Sequence, residues 1–233
     1  MKKVIAFFAA ILTLNSCTQD IQSNNPGFQA KLDNLYWKAT DASFHINEDG
    51  SITISAYTAY EELILETASQ NLGTYVLGTT NESNFASYYF NDNAGTEFEY
   101  DTSSTVKGPV FKLAGIVSGG TNYYDSNNAA TLSTSTSGNG LKLSIEANTT
   151  GQVTSADVIS RGLNYSAGEN VTILGGDNNA VVKVLNTQYS NGEITIESLH
   201  DGKLTGTFKL NASDGTGNVI TISEGVFYQI PLR

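Results

Sequence analysis

Apolar and polar residues alternate with a period of two along most of the chain, the pattern of half-buried strands. Phe28, Ala30 and Leu32 alternate with polar neighbours and predict a strand over 28–32. Asp33-Asn34 reads as a turn, and a second strand over 35–39 carries Trp37. Strands over 43–46 and 51–56 flank Asn47-Glu48-Asp49-Gly50, a hairpin signal because Asp-Gly supplies the positive φ that tight turns need. Further strands are predicted over 62–67, 73–78, 85–90 and 97–100, the last two around a second hairpin turn at 91–95. Toward the C-terminus the same alternation predicts strands over 193–199, 204–210, 219–223 and 226–230. His200-Asp201-Gly202, the turn at 214–217 and Glu224-Gly225 separate them. No segment sustains a 3.6-residue period; only over 57–66 does a short helical turn compete.

The middle of the chain differs. Over about 108–186, glycine, serine and asparagine rise and aromatics fall. Ala114, Val117, Ser118, Gly120, Asn122 and Tyr123 recur at one constant offset as Ala156, Ile159, Ser160, Gly162, Asn164 and Tyr165. Each set is followed by a short apolar strand (130–132, 171–174), a polar turn (138–140, 175–179) and a last strand (141–145, 180–185). Two copies are too few for a solenoid, which needs about three. The expected arrangement is a pseudo-twofold β module in which each copy covers the apolar face of the other.

The first residues carry another pattern. Lys2 and Lys3 precede an apolar run over 4–14, and Leu14-Asn15-Ser16-Cys17 follows. The run is shorter than the roughly 20 residues that span a bilayer and fits a cleaved export signal over 1–16. Its end resembles the lipobox of bacterial lipoproteins, which implies lipid on Cys17 and a membrane anchor. Cys17 is the only cysteine, so no intrachain disulfide forms. Residues 17–27 read as the lipidated cysteine and a polar tether. The chain carries a net charge of −11, and loss of residues 1–16 removes two lysines and no acid. Such a surface argues against DNA, RNA and anionic lipid as partners. Localisation is expected at the bacterial cell envelope, in the outer membrane, with the surface and periplasmic faces both open.

The segments outside the middle resemble a lipoprotein family of unknown function from Bacteroidota. The resemblance rests on 28–37 (Phe-Gln-Ala-Lys-Leu-Asp-Asn-Leu-Tyr-Trp), 73–78 (Gly-Thr-Tyr-Val-Leu-Gly), 192–196, 204–208 and 221–227. It covers about 28–109 and 187–233 and implies a compact β-sandwich with no catalytic residues and no known ligand. The family pattern runs from the first segment directly into the second, so this chain departs from it by the inserted module. The fold expected is all-β: an antiparallel β-sandwich of 28–109 and 187–233, interrupted by a duplicated β module over 110–186.

Candidate chemistry is sparse. His45 and His200 are the only histidines, one on a strand and one in a turn, so no metal centre and no cofactor is expected. The turns at 47–50, 91–93, 175–179 and 214–217 offer oxygen ligands, but none has the density calcium requires, and turn chemistry accounts for their Asn, Asp and Gly. No Gly-x-Ser-x-Gly elbow occurs. Among the densest acids, Glu61, Glu62 and Glu66, adjacent strand residues point to opposite faces, so the chain is not read as an enzyme. Tyrosine gives the best binding hint: Tyr57, Tyr60, Tyr88, Tyr89, Tyr123, Tyr124 and Tyr165 can present rings to a glycan or an envelope protein. Tyr123, Tyr124 and Tyr165 are the candidate ligand contacts within the insert, against the simpler reading of the Asn-Tyr pairs as turn locks. Sequons such as Asn81, Asn148 and Asn211 are incidental in a bacterial protein. The expected role is a non-enzymatic, lipid-anchored binding or presentation module. The alternatives are an assembly subunit of an envelope complex and, last, an envelope hydrolase.

Overall fold

The computed structural model describes residues 27–91, 94–135 and 137–233. Cys17, the signal segment 1–16 and nearly all of the tether lie outside the described residues, as does part of the 91–95 turn. The protein is all-β, and its strands pair antiparallel in two curled sheets. Among the described residues no helix is long and apolar enough to cross a membrane.

The larger sheet has eleven strands. From the first part of the chain come β1 (Gly27–Leu32), β2 (Leu35–Lys38), β3 (Asp41–Ile46), β4 (Ile52–Tyr57), β5 (Glu61–Thr67), β6 (Gly73–Leu77), β7 (Phe85–Asn91) and β8 (Glu97–Asp101). From the end of the chain come β15 (Asn191–His200), β16 (Lys203–Ser213) and β17 (Val219–Pro231). The main path runs β2-β1-β17-β16-β8-β7-β5-β4-β3, with β15 and then β6 branching from β16. β8 meets β16 only at Asp101 and Ser213. There the sheet forks into two layers that face each other. At the far side Phe44 bridges Leu232, and the Arg233 amide donates to the Phe44 carbonyl at 3.0 Å, so the sheet curls back upon itself.

Alternation supplies the core. Ile52, Ile54 and Ala56 of β4 point inward with Leu63 and Leu65 of β5, against Ile194, Leu204, Phe208 and Ile222 from the other layer. The Phe28 ring sits 4.9 Å from Phe208, 6.3 Å from Phe227 and edge-on to Trp37 at 5.9 Å. Burial of each such side chain stabilises the fold by about 1.5–3 kcal/mol. The segment 57–66 is strand on both sides of a turn at 58–60, with no helical turn. The two strands expected over 219–223 and 226–230 are one strand, β17. Glu224, at φ 50°, bulges out of it, and the ladder with β16 shifts register without ending. A bulge absorbs one residue while pairing continues on both sides.

The smaller sheet has six strands: β9 (Val110–Ser118), β10 (Ser126–Ser133), β11 (Asn139–Ala147), β12 (Val153–Leu163), β13 (Asn170–Ile173) and β14 (Ala180–Thr187). Their order is β12-β11-β10-β13-β14-β9. The first three strands and the last three thus take equivalent places about the central β10–β13 pair. The end strands β12 and β9 also meet: the Val153 amide donates to Gly119 O at 2.8 Å, and Tyr165 and Gly108 exchange backbone bonds at 2.9 Å. Between these points Arg161 Nη1 donates to the carbonyls of Val110 and Phe111, both at 2.8 Å, and covers the Phe111 ring. Side chains from both halves share one core that includes Leu141, Leu143, Val171, Ile173, Val182 and Val184.

Candidate functional site

The tyrosines of the smaller sheet are interior. Tyr123 is 3% exposed and Tyr165 is fully buried. Each follows an asparagine of positive φ (Asn122 at 61°, Asn164 at 62°) that turns the chain inward. The Tyr123 ring lies under Gly176 of the β13–β14 turn, and the Tyr165 ring lies under Gly138 of the β10–β11 turn; a Cβ at either glycine would strike the ring within 3 Å. Tyr123 Oη accepts from the amides of Asn179 and Ala180, both at 3.0 Å, and donates to Ile173 O at 2.8 Å. Tyr165 Oη accepts from the Leu141 amide at 3.4 Å. Neither ring faces solvent, so neither stacks on a ligand, and both lock turns. Tyr124 alone of the three is open, at 84% exposure.

The acidic turns bind themselves. Asp214 accepts from the Thr216 and Asn218 amides and from both their side chains, and the Asn218 bond leads in holding its carboxyl down to about 2. Asp177 accepts from Thr121 Oγ1 at 2.6 Å and from Asn122 Nδ2; these bonds lower its pKa and tie the 175–179 turn to the 120–123 turn. Asp49 accepts from the Ser51 hydroxyl and amide, with the same direction. Among the described residues no group of three or more His, Cys, Asp or Glu converges. His45 touches the Arg233 backbone oxygen at 3.1 Å, and His200 pairs with the neighbouring Asp201.

A different surface draws chemistry together. Its inner support is Glu61, which points toward the core from the start of β5. Its carboxylate accepts from Trp37 Nε1 at 2.9 Å, Thr58 Oγ1 at 2.7 Å and Tyr88 Oη at 2.7 Å. Burial, and then the Glu61 carboxylate, push the Tyr88 hydroxyl well above its usual pKa, so it stays a donor. The cluster fixes the end of β4, the start of β5 and β7 together.

On the outer face of the same strands, register places one residue per strand in a line. Asp41 of β3 pairs Tyr57 of β4, Tyr57 pairs Glu62 of β5, Glu62 pairs Tyr89 of β7, and Tyr89 pairs Glu99 of β8. All five point away from the core, because their chain neighbours Ala42, Ala56, Leu63, Tyr88 and Tyr100 point into it. Tyr60, half exposed on the β4–β5 turn, stands beside this row. With Tyr57, Glu62, Tyr89 and Asn91 it lines a shallow open depression of about 400 Å³. A Glu97 hydrogen bond raises the pKa of the Tyr89 hydroxyl, with Glu99 adding to it. At one end of the row Arg233 clasps Asp41 at 2.6 and 3.1 Å.

Tyr57, Tyr60 and Tyr89 were legible as candidates and Glu62 as one of the densest acids, but their alignment with Asp41 and Glu99 was not. Lateral register across four pairings is written in no single segment. One signal was present: no lysine or arginine occurs between Lys38 and Lys107, a span that holds nearly half of the chain's 23 acidic residues.

A family described as a domain of unknown function (DUF6252) matches residues 24–118 and again residues 119–231. The chain belongs to this family. No curated protein and no solved structure matches the chain. The two matched segments do not fold apart: β17, from the second, lies between β1, from the first, and β16. The second match also takes in β10 to β14, so family similarity reaches into the smaller sheet and beyond the two segments expected from the sequence.

Proposed function

We propose that this DUF6252 protein is a non-enzymatic binding module of the bacterial cell envelope, held by lipid on Cys17, whose contact surface is the acid–tyrosine row of β3, β4, β5, β7 and β8. The observation that carries the binding role is that row: outward Tyr57 and Tyr89 alternating with Asp41, Glu62 and Glu99 along one sheet face. Glu61, the inward acid of β5, is committed to three donors, which favours binding over hydrolysis. The sequence 14–17 supports the anchor, and the constant-offset matches support a duplicated origin for the smaller sheet.

The path of the chain suits such an anchor. Gly27, where the tether ends, pairs Tyr228 beside Thr205 and Gly206 of β16. The smaller sheet is rooted near the opposite end of β16, where Asn211 donates to Gln188 O. Six residues of strand, about 20 Å, separate these levels, so the smaller sheet projects away from the anchored end.

The test has two arms. Cys17→Ala is expected to abolish fatty-acid labelling of the chain in a bacterial host; unchanged labelling overturns the anchor. The full chain on arrays of glycans and peptides is expected to bind a ligand that the Tyr57→Ala/Tyr89→Ala double variant loses by about tenfold or more, about 1.4 kcal/mol or more. Binding that ignores both tyrosines overturns the assigned surface.

A second reading, an assembly subunit, is favoured by one patch. Leu132 and Leu174 are exposed diagonal neighbours on the outer face of the β10–β13 pair. Crosslinking in cells followed by purification separates the two: a stoichiometric envelope complex lost with Leu132→Ser supports assembly, and a monomer counts against it.

A further inference from the structure

We infer that the acid–tyrosine row takes an extended, positively charged polypeptide in the polyproline II conformation, laid across the strands with a basic residue at every third position. The inference rests on the row being the binding surface and adds the chemical class of its partner.

Charge comes first. The layer that carries the row is built from a span with no lysine or arginine. Of the row's three acids only Asp41 meets a cation, Arg233. Among the described residues Glu62 and Glu99 form no ion pair, and Glu97 beside Tyr89 adds a third such carboxylate. The face therefore repels anionic chains and gives a neutral one nothing to neutralise, while a cationic chain meets complementary charge at two registered positions. The tyrosines act in the same direction. Tyr57 is 40% exposed and Tyr60 50%, and a cation over a tyrosine face is attracted by the ring quadrupole.

Spacing decides the conformation. Neighbouring strands lie about 4.8 Å apart, so Glu62 and Glu99, two strands apart, are separated by about 9.6 Å, as are Tyr57 and Tyr89. A polyproline II segment rises about 3.1 Å per residue with three residues per turn, which puts side chains i and i+3 on one face about 9.3 Å apart. A β-strand places i and i+2 about 6.7 Å apart and misses this interval. Strand addition is also unsuited, since the row lies on a sheet face and not along an edge. With cations at i and i+3 over Glu62 and Glu99, the residues between them lie on Tyr89. This is the manner in which proline-rich segments use shallow aromatic grooves.

The experiment is calorimetric titration of the full chain with a synthetic peptide of four Lys-Pro-Pro repeats. Comparison probes are four Lys-Gly-Gly repeats, four Glu-Pro-Pro repeats and a neutral hexose oligomer. Saturable binding of the Lys-Pro-Pro peptide is expected, with weaker or absent binding of the others. Glu62→Gln/Glu99→Gln is expected to weaken it roughly three- to tenfold with an unchanged circular dichroism spectrum, and salt raised to about 0.5 M is expected to weaken it further. Binding of Lys-Pro-Pro that is indifferent to both acids overturns the inference. So does binding of the flexible Lys-Gly-Gly peptide with equal affinity. If the neutral oligomer binds through Tyr57 and Tyr89 while the basic peptide does not, the charge assignment falls and the binding surface stands. If no probe binds and the arrays are blank, both fall together.

Discussion

At the scale of single residues, tyrosine does two opposite jobs in this protein, and burial separates them. Tyr123 and Tyr165 sit at matched places in the sequence, yet their hydroxyls are not equally engaged. Tyr123 satisfies two amides and one carbonyl, whereas Tyr165 accepts a single long bond. Removing a partner leaves buried groups without one, at about 1–3 kcal/mol. Tyr123→Phe is therefore expected to destabilise the smaller sheet by about 2–3 kcal/mol and Tyr165→Phe by about 1 kcal/mol or less. Chemical denaturation followed by circular dichroism measures both, and equal losses would overturn the link between the cost and the number of hydroxyl bonds. The sequence made the pair visible through its constant offset. It did not show which way the rings face, because Asn-Tyr in a glycine-rich turn is compatible with either side. Tyr89 was easier to place, since strand alternation sends it to the face opposite Tyr88, whereas Tyr57 lies one residue past the strand expected over 51–56.

At the scale of elements, the β16–β17 ladder holds the larger sheet together, and two glycines make it possible. Gly206 pairs Phe227 and Gly225 pairs Phe208, each ring lying over the backbone of its partner glycine. A Cβ on Gly206 would stand 2.0 Å from Thr195 O and 2.4 Å from the Phe227 ring. Neither neighbour can yield: one is backbone in β15, and the other is wedged beside Phe28. Gly206→Ala is expected to destabilise the protein by about 3 kcal/mol, the upper range of overpacking, whereas Gly215→Ala, whose Cβ meets nothing within 4 Å, bears only the strain of its φ of 74°, about 1 kcal/mol. Urea midpoints of the two variants check this, and equal midpoints would rule out the packing argument. Most strands were legible within a residue or two, because alternation and turn residues are local. β17 was not: Glu224-Gly225 resembles a turn in sequence, and only the partner strand, pairing on both sides of the bulge, keeps it a single element. The acid–tyrosine row escaped for a related reason, being set by four registers at once.

At the scale of the whole molecule, the smaller sheet interrupts the larger one at a point where the chain leaves and returns side by side. Val110 pairs Thr187, and the Gln188 amide donates to Pro109 O at 2.8 Å. The root between the two sheets is polar and buried. Asn191 Nδ2 donates to the carbonyls of Thr187 and Gln188, Ser190 Oγ to Ser103 O, and Asn186 Nδ2 to Leu77 O. Two of these four bonds, Ser190 to Ser103 O and Asn191 to Gln188 O, join residues outside 110–187, so the larger sheet keeps half of the network if the smaller one is removed. Replacing 110–187 with Asn-Gly, a pair suited to a two-residue connection, is then expected to leave the larger sheet folded. Its stability should fall by only a few kcal/mol, from the loss of the Asn186 bond, of the Thr187 carbonyl that accepts from Asn191, and of cover over the root. Trp37 is the only tryptophan and lies in the larger sheet, edge-on to Phe28 with its indole nitrogen on Glu61. Its fluorescence therefore reports the larger sheet alone. A blue-shifted emission with one cooperative urea transition is the expected result for the shortened chain. Emission at the position of the denatured protein would mean that the two sheets fold only as one unit, and that the smaller sheet is a structural necessity of this chain. The same shortened protein separates the roles of the two sheets, since the acid–tyrosine row lies wholly on β3 to β8. If it binds the basic peptide with the affinity of the full chain, recognition belongs to the larger sheet.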